Sequence, residues 1–138
     1  NRARRARVQP LEGVMSGRIL IVDDVATNRI VLKVKLASAH YVPLMAASGA
    51  ECLRVARREV PDLILLDLNL PDMSGFDLLG QVRKTAWGAA MPVIAVSADQ
   101  VQPTIDKAYA SGVADFVPKP IDLNRLEKIL SRYTSRGN

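Results

Sequence analysis

The chain has a single cysteine, Cys52, so no disulfide within it is available to hold the fold, a usage compatible with a reducing compartment. No apolar run approaches the roughly 20 residues of a membrane-spanning helix. The opening stretch, NRARRARVQPLEGV, lacks the apolar core of a secretory signal. These absences give the expectation of a cytoplasmic domain with no membrane contact. A glycine-rich phosphate loop, an internal repeat and a low-complexity block are missing as well. The net charge of +5 is unevenly spread: Arg2, Arg4, Arg5 and Arg7 against Glu12 put +3 into residues 1–14 and leave only +2 for the rest. The body is therefore not expected to bind nucleic acid directly, and residues 1–16 are expected to form a basic flexible tail or linker.

What is present begins with PDLILLDLNLPD, residues 61–72. Leu63 to Leu66 form a continuous apolar run, which suits a strand buried on both faces of a parallel sheet, and that strand delivers Asp67 just before a proline-marked turn. Other strands follow the same habit. RILIV (18–22) runs into Asp23 and Asp24, VIAVS (93–97) ends in Ser97, and DFV (115–117) leads to Lys119. YVPLMAA (41–47) is a further strand. Between them lie helical stretches. TNRIVLKVKLASA (27–39) sets Ile30, Val31, Val34 and Ala37 on one face, expected to be the packed one. SGAE (48–51) has the pattern of a capping box, and Ser74 is placed to cap a helix from about Phe76 to Lys84. Pro103 suits the first turn of the next helix and Gly112 its end. Ile121 and Leu126 are spaced as a hydrophobic staple around a last helix starting at Asp122.

Five strand–helix units imply right-handed crossovers and an α/β, doubly wound, five-stranded parallel sheet with five helices. Pro43 and Pro118 belong on edge strands, which favours the order 2-1-3-4-5. The folded domain is expected over residues 17–135, with 136–138 as a C-terminal tail. In that order ligands bind at the carboxyl ends of the strands, at the switch point between strands one and three. Asp23, Asp24 and Asp67 would meet there, and three adjacent carboxylates repel unless a cation joins them. Oxygen ligands with room for water suit Mg²⁺. Ser97 and Lys119 facing that cluster would suit phosphoryl oxygens. An aspartate held there can act as a nucleophile on phosphorus. Each element alone has an ordinary explanation as turn, cap or solubility chemistry; five such groups on four strand ends form a pattern.

ILIVDD, PDLILLDLNLPDMSG, PVIAVSA and DFVPKPID, in this order and spacing, resemble the receiver domain of bacterial two-component response regulators, of chemotaxis type, from about Gly17 to Tyr133. The resemblance implies Asp67 as phosphoacceptor and Mg²⁺ held by the side chains of Asp24 and Asp67, the backbone carbonyl of Asn69, and Asp23 through water. It implies Ser97 and Lys119 on the phosphoryl group, a cis Lys119–Pro120 peptide, and Gly75 as the glycine after the acceptor loop. Ser97 and Phe116 would form the switch, with phenylalanine where tyrosine is common, and Asn69 and Asp99 would tune the turnover. A sensor histidine kinase or phosphotransfer protein would be the donor, and residues 104–133 would offer a homodimer surface. Such a domain is a signalling switch that assists its own phosphorylation, not a turnover enzyme. It also occurs as a module of hybrid histidine kinases and of diguanylate cyclases, which parts of this chain resemble. His40 is read as a helix-end residue, Cys52 as core, and Trp87 as a surface-packing or partner residue.

Two other readings use the same residues. An aspartate-nucleophile phosphatase of the haloacid dehalogenase type would want a second carboxylate where Asn69 stands, and its nucleophile on the first strand. A degenerate receiver that only binds partners would not need the full set Asp23, Asp24, Asp67, Ser97 and Lys119.

Overall fold

The computed structural model describes residues 17–134; the expected tails, 1–16 and 136–138, lie outside the described residues. Strands β1 (Arg18–Val22), β2 (Val42–Ala46), β3 (Leu63–Asp67), β4 (Val93–Ser97) and β5 (Asp115–Pro118) alternate with helices α1 (Ala26–Ser38), α2 (Gly49–Glu59), α3 (Gly75–Arg83), α4 (Gln102–Ala110) and α5 (Leu123–Thr134). All strand pairs are parallel, in the order β2-β1-β3-β4-β5. The edge positions fall to the two strands that contain proline, where a missing N–H costs the sheet least.

Strand periodicity sorts the core into two layers. Leu20, Val22, Ile64, Leu66, Val93, Ala95 and Phe116 face α2, α3 and α4, where they meet Cys52, Val55, Leu78, Leu79 and Ala108. Ile19, Ile21, Leu63, Leu65, Ile94, Val96 and Val117 face α1 and α5, against Leu32, Leu36, Leu126, Ile129 and Leu130. Covered on both faces, β3 and β4 are buried along their whole length. The cost of burying backbone polar groups is met by the ladder, so Asp67 is delivered from a rigid base.

The face expected to anchor α1 is the outward one. Ile30, Val31 and Val34 are 56%, 52% and 64% exposed, and the helix is held by Leu32 and Leu36 instead. Apolar residues occupy both sides of this helix, so periodicity identifies a stripe without saying which stripe meets the sheet. The longer leucines fill the groove over β1 and β3, and the shorter valines remain in water.

Local signals at the other helix ends agree with the structure. Ser48 Oγ accepts from Glu51 N–H at 3.1 Å while Glu51 reaches back to Ala47 N–H at 2.6 Å. Ser74 Oγ accepts from Asp77 N–H at 3.0 Å. Asp122 accepts from the N–H groups of Asn124 and Arg125, with Ile121 and Leu126 in the same apolar cluster. Gly112 has φ of 102° after α4, and His40 has φ of 71° just past α1. Trp87 packs, partly buried, against the cluster beneath α2, α3 and α4.

Candidate functional site

The carboxyl ends of β1, β3, β4 and β5 converge on one acidic pocket. Asp67, the last residue of β3, is 4% exposed, Asp23 just beyond β1 is 3% exposed, and Asp24 beside it faces solvent. One oxygen from each of the three lies within 4.8 Å of the others. Burial of two carboxylates this close is tolerable only with counter-charge. Lys119, from the turn after β5, provides it: Nζ lies 2.8 Å from Asp67 Oδ2 and 3.2 Å from Asp23 Oδ2. Burial by itself would lower the Lys119 pKa, but the hydrogen bonds and charges of Asp67 and Asp23 outweigh it and hold the ammonium above its ordinary value. The Lys119–Pro120 peptide is cis, and Lys119 N–H donates to Ser97 O at 2.9 Å, which fixes the turn to the end of β4.

Each aspartate is oriented by its own backbone. Asp67 Oδ1 accepts from Asn69 N–H at 2.8 Å, and Asp23 Oδ1 accepts from Val25 N–H at 2.8 Å. Both are short Asx-type contacts that turn the carboxylate back over the strand end. This leaves Asp67 Oδ2 facing Lys119. Asn69 is exposed and its residue pairs with Ser74 in an isolated bridge, closing the loop between β3 and α3. Gly75 N–H donates to Leu68 O at 2.9 Å, and a Cβ there would lie 2.6 Å from Leu68 Cα, so the loop closes only over glycine.

Ser97 is 1% exposed and its Oγ accepts from Asp99 N–H at 3.0 Å. That contact occupies an acceptor position and leaves the hydroxyl proton for another partner. The Asp99 side chain is engaged elsewhere: it accepts from Val101 N–H at 3.1 Å and from Thr104 Oγ at 2.8 Å, tying the loop after β4 to the first turn of α4. Phe116, 6% exposed, is directed into the core beneath α2, α3 and α4 and pairs in register with Ala95.

Three supporting residues were not singled out from the sequence. Asn28 Nδ2 donates to Asp23 Oδ2 at 3.3 Å, and Arg29 donates to Asp23 O at 2.7 Å. Both lie in the first turn of α1, a placement that only the fold directs back toward β1. Asp72, part of the proline turn, bonds two N–H groups of α2. Beside the acidic pocket an open groove of about 450 Å³ runs between Asn28, Val31 and Leu32 of α1 and the stretch from Lys119 to Leu123. Among the described residues no helix is long and apolar enough to cross a membrane.

The family model for the response regulator receiver domain matches residues 19–131. The response regulator PleD of Caulobacter vibrioides is 36% identical over 108 residues, which cover 78% of this chain but only 24% of PleD. Protein PilH of Pseudomonas aeruginosa is 34% identical over 116 residues, covering 83% of this chain and 94% of PilH. Among solved structures, the receiver domain of the sensor histidine kinase PA1611 from Pseudomonas aeruginosa superposes with a TM-score of 0.80 at 30% identity, covering 88% of this chain and 99% of that one. That structure has a magnesium ion coordinated in its active-site cleft.

Proposed function

This chain belongs to the response-regulator receiver family, and from that premise we propose that Asp67 accepts a phosphoryl group from a phosphohistidine donor and thereby switches the surface around β5. Membership sets aside the phosphatase reading, since receiver domains are signalling switches. The observation that carries the proposal is the contact of Lys119 with both Asp67 and Asp23, which puts an ammonium beside the one Asp67 oxygen not taken by Asn69 N–H.

In the transfer, Asp67 Oδ2 attacks phosphorus, the new O–P bond forms as the N–P bond of the donor breaks, and the ring takes that electron pair and leaves as neutral imidazole, its other nitrogen already carrying a proton. Lys119, already 2.8 Å from that oxygen, follows the charge onto the phosphoryl group. Ser97 donates its free hydroxyl proton to a phosphoryl oxygen. The residues fit Mg²⁺: two buried carboxylates and one exposed supply hard oxygen ligands with an open side toward solvent. Asp24 and Asp67 would hold it directly, with the Asn69 carbonyl, and Asp23 through water. When bound, the ion would neutralise charge on the transferring oxygens. The domain so built supplies most of the chemistry itself, which is why a small acyl phosphate should serve as donor in place of a protein.

Ser97 drawn toward the phosphoryl group pulls on Asp99, and Asp99 pulls on the first turn of α4 through Val101 and Thr104. Phe116, on the neighbouring strand, repacks in the space this opens. Asn69 and Asp99 set how fast water removes the group, Asn69 by standing at the exposed mouth of the pocket and Asp99 through the Ser97 loop. A homodimer through residues 104–133 belongs to the same reading, with Tyr109, 47% exposed, on that face.

The donor is a sensor histidine kinase or phosphotransfer protein. The outward stripe Ile30, Val31 and Val34 and the groove beside Lys119 support docking of an amphipathic helix that carries the phosphohistidine to Asp67. The setting in a larger protein has support from two likenesses, the receiver domain of the sensor histidine kinase PA1611 and the response regulator PleD, of which the matched stretch is 24%. A cytoplasmic place of action goes with either.

Intact mass after incubation with Mg²⁺ and acetyl phosphate tests the proposal. A gain of one phosphoryl group, absent without Mg²⁺ and absent in Asp67→Asn, is expected. An equal gain in Asp67→Asn would overturn it.

A further inference from the structure

The loop from β3 to α3 carries the acceptor's neighbour Asn69, and its far limb is bolted to a different helix. Asp72 Oδ1 accepts from Gly49 N–H at 2.9 Å and Oδ2 accepts from Ala50 N–H at 3.0 Å. These are the first two donors of α2, which have no partner within the helix. Ser48 takes the third, so the cap of α2 is shared between its own N-cap and a carboxylate 22 and 23 residues along the chain. The two N–H groups hold the Asp72 carboxylate below its ordinary pKa. Met73 extends the grip. Its Cγ, Sδ and Cε would lie 2.6 to 2.8 Å from a Cβ on Gly49, so the side chain rests directly against the glycine that opens α2. Gln81 of α3 donates to Met73 Sδ at 3.6 Å.

The same loop is anchored at its near limb by Asn69 N–H on Asp67 and by Gly75 N–H on Leu68 O. Between these anchors lies a short span that starts at Asn69 and runs through Asp72 and Met73 to Ser74, the cap of α3. We infer that Asp72, with Met73 packed on Gly49, is a positioning clamp that sets the Asn69 carbonyl for the divalent cation, so that the N-terminus of α2 helps to define the metal site. The inference rests on the reading that Asp24, Asp67 and the Asn69 carbonyl bind Mg²⁺. Asp72 touches neither the ion nor the acceptor, and its effect passes through the loop. A neighbour that orients a ligand without binding the metal commonly governs affinity in this way.

The clamp also explains a coincidence in the sequence. Gly49 follows the cap residue Ser48 where most residues would serve a helix, and Asp72 occupies a turn where asparagine, serine or glycine would turn the chain equally well. A small residue at one position and a carboxylate at the other are what this contact requires.

Mn²⁺ alone, followed by its solution EPR signal, is the probe. The full chain, Asp24→Asn, Asp72→Ala, Asp72→Asn and Ser48→Ala would be titrated side by side. The clamp predicts that Asp72→Ala weakens Mn²⁺ binding about tenfold, the low end for residues supporting a metal ligand. Asp72→Asn, which keeps one acceptor and the shape of the side chain, falls between. Ser48→Ala removes a cap from the same helix without touching the loop and leaves Mn²⁺ affinity unchanged. In the absence of metal, the amide cross-peak of Asn69 moves in Asp72→Ala and stays in place in Ser48→Ala. Wild-type affinity in Asp72→Ala, or an equal loss in Ser48→Ala, overturns the clamp while leaving the metal site intact. Equal binding by wild type and Asp24→Asn would instead overturn the metal reading, and the clamp's role would fall with it.

Discussion

Lys119 Nζ stands 2.8 Å from Asp67 Oδ2, a contact between residues 52 apart that joins the end of β5 to the end of β3. The ammonium offsets one of the two negative charges of the buried pair Asp67 and Asp23, and it stands in the same pocket that a divalent cation would enter. Removing it has two opposed consequences. Lys119→Met is expected to cost about 3 kcal/mol of stability without divalent cations, because the buried Asp67 and Asp23 lose their counter-charge. The same variant should gain more in Tm from added Mg²⁺ than the wild type does, since the ion no longer meets an ammonium. Thermal denaturation with EDTA and with excess Mg²⁺ checks both. A smaller Mg²⁺ increment in the variant would place the ion elsewhere.

The two stripes of α1 make a second prediction. Leu36 is 1% exposed and Val34 is 64% exposed, although both are apolar and two positions apart. Leu36→Ala should cost about 2–5 kcal/mol by leaving a cavity over the sheet. Val34→Ser should stay within about 0.5 kcal/mol of wild type. Urea denaturation of the two variants decides which face is packed, and the reverse order would contradict the structure.

That helix also marks how far the sequence could be read. The buried runs of β1, β3 and β4 end abruptly in Asp23, Asp67 and Ser97, so strand ends and their polar cargo stand out from sequence alone. Proline at Pro43 and Pro118 singled out the edges, and strand order followed. A helix that is apolar on two sides gives no such sign, because its periodicity is satisfied whichever stripe faces in. Asp72 was hidden for a different reason. Its turn is legible, but its partners Gly49 and Ala50 are more than 20 residues away, and only the crossover through α2 and β3 brings them together. Asn28 and Arg29 are alike in this respect, since an ordinary first turn of helix becomes a support for Asp23 only once α1 leaves β1 at the observed angle.

Cys52 gives a third prediction. It lies on the buried face of α2, fully enclosed, and burial pushes its thiol up to about 12. The thiolate is the reactive form. Native protein at neutral pH should therefore resist a thiol reagent such as dithionitrobenzoate and react fully in guanidinium. Rapid labelling of the native protein would show that the core around Val55 and Leu78 opens readily.

Asp72 predicts a pH dependence. Its pKa is lowered in the folded chain from the ordinary 3.8, first by Gly49 N–H and then by Ala50 N–H. A depressed carboxylate contributes stability that is fully present above its unfolded pKa and is lost as pH falls through the folded value. The gap in Tm between wild type and Asp72→Ala should therefore be widest at neutral pH and close as pH drops below 3.8. A gap that persists undiminished into stronger acid would mean that the contact does not depend on the charge.

The identity of the acceptor is the claim on which the rest depends. Reductive trapping addresses it: the protein is phosphorylated with acetyl phosphate and Mg²⁺, treated with borohydride, which converts an acyl phosphate to an alcohol, and mapped by peptide mass spectrometry. The account predicts homoserine at position 67, with Asp23 and Asp24 recovered as aspartate. Reduction at Asp23 or Asp24 with Asp67 intact would contradict it.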